Sequence, residues 1–102
     1  MKNTVKLIIN GLGILYVIKC FNNFEIFYKI GITSRSIRQR YPTSETMPYN
    51  YEIIQEIQDI PENIYNLEIQ LKRLLKQFHY VPQVYFKGSK TECFTIPIYL
   101  KE

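Results

Sequence analysis

Two segments rich in β-branched and aromatic residues lie close together near the start of the chain. They span residues 13–20 (GILYVIKC) and residues 25–33 (EIFYKIGIT). Two adjacent asparagines lie between them, and asparagine tolerates the positive φ that tight hairpin turns favour. The pattern predicts an antiparallel hairpin of roughly Ile14–Lys19 with Glu25–Ile32. Gly31 interrupts the second strand, as glycine does at a bulge or where another group approaches the backbone closely.

A short basic helix is expected after the hairpin. Thr33 or Ser34 would serve as a hydroxyl N-cap, and Pro42 would end the helix. The segment contains no acid and carries three arginines: Arg35, Arg38 and Arg40. Their cluster is interpreted either as a solvated helix face or as a set of phosphate contacts, and the absence of acids favours phosphate.

A longer amphipathic helix is predicted in the second half of the chain. Asp59 is the expected N-cap, with Glu62 three residues on as in a capping box and Pro61 in the first turn. Apolar residues then recur at helical spacing and form one stripe: Ile64, Leu67, Leu71, Leu74, Leu75 and Phe78. Such a stripe is typical of a helix that packs on a core.

The elements together predict an α+β fold. Tyr51–Ile57 is a third strand by its composition, and the segment around Cys93–Ile96 is a short strand or helical turn. The order is β-β-α-β-α plus a C-terminal tail, with a small antiparallel sheet of about three strands flanked by helices. No linker, repeat or low-complexity segment is visible, so residues 1–102 are interpreted as one domain.

Composition excludes several classes of protein. A hydrophobic fraction of 46% and a charged fraction of 22% are ordinary for a folded globular domain. No apolar run reaches the roughly 20 residues of a membrane helix, and residues 1–10 lack the pattern of a secretory signal. Cys20, Cys93 and the single His79 are too scattered to predict a disulfide framework or a zinc site. We therefore expect a protein of the reducing cytoplasm without a membrane partner.

The net charge of +4 is distributed unevenly. Residues 1–40 contain seven lysines and arginines and one acid, whereas residues 41–102 contain six basic and eight acidic residues. A cationic first part indicates a phosphate-bearing partner, because clustered Lys and Arg gain free energy from counterion release on a polyanion. Small basic proteins are common, however, so this asymmetry alone does not decide the function.

Glu68 lies on the edge of the apolar stripe, four residues after Ile64 and three before Leu71. A carboxylate turned toward a core is costly unless a cation or several hydrogen-bond donors meet it. Three interpretations fit the position of Glu68: a salt bridge to an arginine, a place at the solvent-exposed rim of the stripe, or a role as metal ligand. Helix geometry alone slightly favours the first two.

Four short motifs occur in an order typical of one nuclease superfamily: residues 13–16 (GILY), residues 28–31 (YKIG), Arg40 and Glu68. The chain resembles the GIY-YIG nuclease superfamily, and within it the phage-type branch whose second motif reads Lys-Ile-Gly. The resemblance runs from about residue 13 to residue 94. It implies a GIY-YIG-like fold and phosphodiester hydrolysis.

The resemblance also implies roles for individual residues. Tyr16 would take part in proton transfer from the attacking water. Lys29 stands where the second motif usually has its tyrosine, and would hold a phosphate or act on a neighbouring phenol through its charge. Arg40 would brace the scissile phosphate, with Arg38 as a rival, and Glu68 would bind one Mg²⁺ or Mn²⁺ ion.

Four further residues are expected to contact the substrate: Arg35, Arg38, Tyr28 and Glu92. Tyr28 is adjacent to Lys29 but faces the other side of its strand. The asparagine usual near the C-terminal end of the family has no clear match here, and Glu92 is the candidate for that neighbourhood.

The sequence thus predicts a phage-encoded, metal-dependent DNA endonuclease that acts on the phosphate backbone in the host cytoplasm. The alternative is a catalytically impaired nucleic-acid-binding or counter-defence (inhibitor) module on the same fold. A third interpretation is a protein-interaction module with a basic face. No separate specificity domain is expected, so a homodimer, a partner protein or local loops would supply specificity.

Overall fold

A computed structural model describes residues 11–100 of the chain. The prediction that residues 1–10 are not a secretory signal therefore lies outside the described residues. The described chain contains four strands, two α-helices and one 3-10 turn: β1 Gly13–Phe21, β2 Ile26–Thr33, α1 Ile37–Arg40, β3 Asn50–Asp59, α2 Pro61–Leu74, the 3-10 turn Lys76–Phe78 and β4 Cys93–Phe94. The α+β class is confirmed. The sheet has a fourth strand of two residues beyond the three longer ones. None of the helices between residues 11 and 100 is long and apolar enough to span a bilayer.

The sheet is antiparallel with strand order β3-β1-β2-β4. The predicted hairpin is confirmed, with β1 and β2 paired from Ile14 opposite Thr33 to Phe21 opposite Ile26. Its turn does not use the positive φ expected of the asparagines, since no non-glycine residue described has one. Instead the Asn22 side chain accepts hydrogen bonds from the two backbone N–H groups that precede β2. This local side-chain bond replaces the left-handed conformation.

Alternation along β1 and β2 produces two apolar layers. The front face is the side of the sheet that carries Tyr16, and it packs against α1 and the loops around Tyr49 and Phe86. The back face carries Leu15 and Ile30 and packs against α2. The protein therefore has a core on each side of one sheet.

α1 begins later than the sequence predicts. Thr33 remains in β2, where its hydroxyl accepts a hydrogen bond from the Arg35 backbone N–H at 3.0 Å. Ser36 is the N-cap and forms a reciprocal capping box with Gln39. The prediction of Thr33 or Ser34 as N-cap is therefore wrong, because the Thr33 hydroxyl already serves a local turn.

α2 begins at Pro61 as the proline indicates, but Asp59 is not its N-cap. Asp59 ends β3 opposite Gly13, and Ile60 is the N-cap. The Asp59 carboxylate still accepts hydrogen bonds from the Ile60 N–H at 2.7 Å and the Asn63 amide at 3.2 Å. Strand pairing thus moves the helix boundary by one residue.

Candidate active site

Tyr16 lies at the centre of the front face and is 1% exposed. Its Oη lies 2.6 Å from the Oη of Tyr41, which directly follows α1. On the neighbouring strand Tyr16 is paired with Gly31, where an added Cβ would overlap the phenol ring. The predicted close approach at Gly31 is confirmed, and the approaching group is the candidate catalytic tyrosine.

Lys29 is fully buried beside this phenol. Its Nζ donates to the Tyr16 Oη at 3.2 Å and to the Glu92 Oε1 at 2.7 Å. Burial alone would lower the pKa of Lys29, but the phenols of Tyr16 and Tyr41 and the Glu92 carboxylate outweigh burial and raise that pKa. Lys29 is therefore a fixed positive charge in contact with the Tyr16 oxygen.

Glu92 reaches this lysine from the edge of the sheet. It directly precedes β4, and its backbone carbonyl accepts a hydrogen bond from the Ile30 N–H at 3.0 Å. A tight turn holds it, with the Glu92 N–H bonded to the carbonyl of Gly88. Gly88 has a φ of 87°, and a Cβ at this position would overlap the Glu92 carboxylate. A residue other than glycine would thus be strained and would displace the acid.

Glu68 approaches the same edge from the back face, on α2. It is 8% exposed, and its Oε1 lies 3.6 Å from the Lys72 Nζ, one helical turn further on. The Lys72 Nζ also lies 3.6 Å from the Glu92 Oε2. Burial, and next the nearby charge of Glu92, raise the pKa of Glu68 against the opposing effect of Lys72.

These contacts form one continuous polar network, which consists of Tyr41, Tyr16, Lys29, Glu92, Lys72 and Glu68. The network joins the two faces of the sheet around its edge. Glu92 makes this link because it directly precedes the short edge strand β4, which pairs with Tyr28 and Lys29. Contacts through three intervening side chains thus connect Tyr16 and Glu68.

Arg35 and Arg40 border a depression of about 430 Å³ on the surface, which we call the arginine depression. It is lined by Ile32, Thr33, Ser34, Arg35, Gln39, Arg40 and Lys87. The Arg40 guanidinium lies 5.1 Å from the centroid of the Tyr41 ring, within the range of a cation–π contact. Arg38 is exposed and does not line the depression. Arg40 is therefore the arginine in contact with the polar network.

Tyr28 lies apart from this group. It belongs to the back-face core, opposite Phe94, and its side chain points away from Lys29 as strand alternation requires. His79 caps the end of the 3-10 turn and its Nε2 contacts the backbone carbonyl of Lys90. Both residues therefore have evident structural roles.

Sequence reasoning missed Tyr41, Lys72 and Gly88 as parts of the site. Lys72 could have been found, since it follows Glu68 by four residues and such pairs face each other on a helix. No sequence signal marked Tyr41, which reaches Tyr16 only through the placement of α1. No local pattern predicts the contact of Gly88 with Glu92, which depends on the fold of the loop.

Two carboxylates, Glu68 and Glu92, converge on Lys72 in the polar network. Within residues 11–100, no three His, Cys, Asp or Glu side chains come together as a metal-binding group. A zinc-type cage is therefore absent from the described chain. A magnesium ion needs fewer protein ligands, because it keeps several waters and is commonly held by one or two carboxylates.

Comparison with known families identifies the domain. The model of the T5orf172 domain family matches residues 13–101, from the first strand to beyond the last. The chain belongs to the T5orf172 domain family. This family comprises phage-associated, nuclease-like domains. No curated protein and no solved structure matches the chain.

Proposed function

We propose that this T5orf172 domain is a GIY-YIG-type DNA endonuclease that hydrolyses phosphodiester bonds with Mg²⁺ or Mn²⁺. One observation carries the proposal: the polar network connects the phenol of Tyr16 with the carboxylate of Glu68 through Lys29, Glu92 and Lys72. A phenol on β1, a buried ammonium on β2, an acid on α2 and an acid directly before β4 have no need to meet for stability alone. Phosphodiester hydrolysis needs such groups together.

The donor set fits a hard divalent cation. The carboxylates of Glu68 and Glu92 provide oxygen ligands. One oxygen of each carboxylate lies 3.6 Å from the Lys72 Nζ, which is itself a cation. Burial is the main cause of the raised pKa of Glu68, so the opposing charges of Lys72 and Lys29 do not fully offset the cost of burying this carboxylate. Glu68, with Glu92 beside it, would hold the ion. When bound, Mg²⁺ or Mn²⁺ would stabilise the charge that develops on phosphate and leaving oxygens.

The chain's own groups provide the remaining chemistry. Once the Tyr16 phenol has given up its own proton, the hydrogen bond from the Lys29 ammonium would stabilise the negative charge on the Oη, and that oxygen would accept a proton from the attacking water. Tyr41 bonds to the same oxygen and fixes the ring in place. Arg40 would hold the phosphate from the arginine depression, because a guanidinium forms paired hydrogen bonds with phosphate oxygens.

The proposal is tested by nicking of supercoiled plasmid in Mg²⁺ or Mn²⁺. We expect nicked circles from the wild-type protein and loss of nicking in Glu68→Ala. Glu62→Ala is the matched control, since Glu62 is an exposed acid on the same helix outside the polar network. Wild-type activity in Glu68→Ala, or none in the wild type, would overturn the proposal. A single site would nick one strand, so linear product would indicate a homodimer or a partner.

A second candidate function is nucleic-acid binding without cleavage, as in a counter-defence module. The observation that favours it is the Lys72 ammonium, which already supplies a cation to both carboxylates. The missing C-terminal asparagine supports it as well. Salt-sensitive binding of DNA without turnover in either metal would identify this function.

A further inference from the structure

A second basic depression lies at the end of α2, and we call it the helix-end cleft. It has a volume of about 330 Å³ and is lined by Lys72, Lys76, His79, Thr91 and Phe94. Lys72 and Lys76 are four residues apart at the junction of α2 and the 3-10 turn, so both ammonium groups reach the same side. Neither the family motifs nor the polar network accounts for Lys76.

The helix-end cleft adjoins the polar network. Lys72 lines the cleft and is also the residue that contacts both Glu68 and Glu92. At the other end of the network, Arg40 lines the arginine depression and contacts Tyr41. One depression therefore lies at each end of the series of contacts that runs from Arg40 to Lys72.

One short loop separates the two depressions. Lys87 lines the arginine depression and Thr91 lines the helix-end cleft. Four residue steps span at most about 14 Å, and the hydrogen bond from the Thr91 N–H to the Gly88 carbonyl folds the loop more tightly. One strand of a nucleic acid places a phosphate about every 3.4 Å along the helix axis. The backbone positions of these two lining residues are therefore separated by no more than the rise of about four nucleotides along one strand.

We propose that the helix-end cleft binds a second phosphate of the same nucleic-acid strand, a few nucleotides from the phosphate in the arginine depression. Lys76 is the main contact, with Lys72 at the border to the acids. The strand then crosses the polar network with a cation-lined depression on either side, which positions the intervening phosphodiester. This inference rests on the proposed function for its substrate class.

The test measures binding rather than cleavage. A labelled duplex is titrated with protein in EDTA, over about 50 to 200 mM salt, and log K is plotted against log salt. Each lost phosphate contact should reduce the slope by about 0.9. We expect this reduction for Lys76→Gln and for Lys87→Gln, and twice this reduction for the double variant. Arg73→Gln is the matched control, because Arg73 is an exposed cation on α2 outside both depressions.

The outcomes separate this inference from the proposed function. An unchanged slope in Lys76→Gln, an equal reduction in Arg73→Gln, or no binding by the wild type would refute the second phosphate site. If the wild-type protein nicks plasmid while Lys76→Gln keeps the full slope, the endonuclease stands without this site. If the slopes change as expected but no cleavage occurs, the site stands and the endonuclease is refuted.

Discussion

Gly31 and Tyr16 face each other across the β1–β2 pair, and the Tyr16 phenol occupies the space that a side chain at position 31 would need. The lack of a side chain at the glycine of the second motif therefore allows the tyrosine of the first motif to take its position. It leaves room for the phenol to lie against β2 within reach of the Lys29 ammonium. The two motifs are linked by steric fit as well as by chemistry.

Gly31→Ala should displace the Tyr16 ring and abolish nicking. We expect a loss of about 1–3 kcal/mol in the free energy of unfolding, because the added methyl group overpacks a filled space. Gly13→Ala is the control, since a Cβ there meets Ile64 at 3.6 Å, an ordinary contact. Urea unfolding and plasmid nicking measure both effects. Gly31→Ala with full stability and activity would contradict the steric link.

Tyr16→Phe should reduce the nicking rate by about 10²- to 10⁴-fold, the usual range for loss of a proton-transfer group. Tyr41→Phe should have a smaller effect, because Tyr41 acts only by positioning the Tyr16 oxygen. Both changes remove the buried Tyr16–Tyr41 hydrogen bond, with an expected loss of stability of about 1 kcal/mol, and Tyr16→Phe loses more because it also removes an acceptor of the Lys29 ammonium. Single-turnover nicking rates compare the two variants, and an equal loss in both would mean that the assigned roles are wrong.

Glu68→Gln should remove metal binding without loss of thermal stability. The raised pKa of Glu68 means that the folded state binds its proton more tightly than the unfolded state does. The ionised group therefore weakens the fold as pH rises above 4.5, the ordinary value. At neutral pH in EDTA we expect a Tm equal to or above that of the wild type.

Added Mn²⁺ should then raise the Tm of the wild type and of the control Glu62→Gln, but not that of Glu68→Gln, since a ligand stabilises only the state that binds it. Differential scanning calorimetry with and without the metal gives all of these values. A Tm several degrees lower for Glu68→Gln in EDTA would show that the Lys72 ion pair outweighs the cost of burial.

Glu25 should make the fold sensitive to acid. Burial alone would raise the pKa of this carboxyl, but hydrogen bonds from Tyr49, Tyr80 and the Gln83 N–H outweigh it and lower the pKa below 4.5. A depressed pKa contributes stability that is present above the unfolded value and is lost as pH falls through the folded value. The stability that the Glu25 carboxylate contributes is therefore lost in the acidic range, below about pH 4.5.

Glu25→Gln tests this contribution. At neutral pH we expect a loss of about 1–3 kcal/mol in the free energy of unfolding, since the buried acceptor of three hydrogen bonds is replaced. The stability of the variant should also change less with pH in the acidic range. Glu52→Gln, an exposed acid on β3, is the control. Urea unfolding across the acidic range provides the comparison, and parallel curves for Glu25→Gln and the wild type would exclude this role of Glu25.

Local sequence patterns were sufficient for most of the fold. The segments rich in β-branched and aromatic residues around Tyr16 and Lys29 predicted the hairpin, and the apolar stripe around Glu68 predicted α2. The boundaries were less predictable, as Asp59 and Thr33 show, because strand pairing and a local turn compete with capping for the same side chains. The four short motifs that resemble the GIY-YIG nucleases also indicated the site. Their candidate residues are Tyr16, Lys29, Arg40 and Glu68.

The sequence by itself determined most of the secondary structure and the α+β class, because helical and strand preferences act over only a few residues, and its resemblance to the GIY-YIG nucleases indicated the candidate tyrosine, lysine and glutamate. Only the tertiary structure decided that Glu92 and Lys72 link Lys29 to Glu68, and that Arg40 rather than Arg38 contacts the network through Tyr41. Those contacts depend on the short pairing of β4 with β2 and on the packing of α2 against the back face. Such relationships join residues far apart in sequence, so no local pattern encodes them.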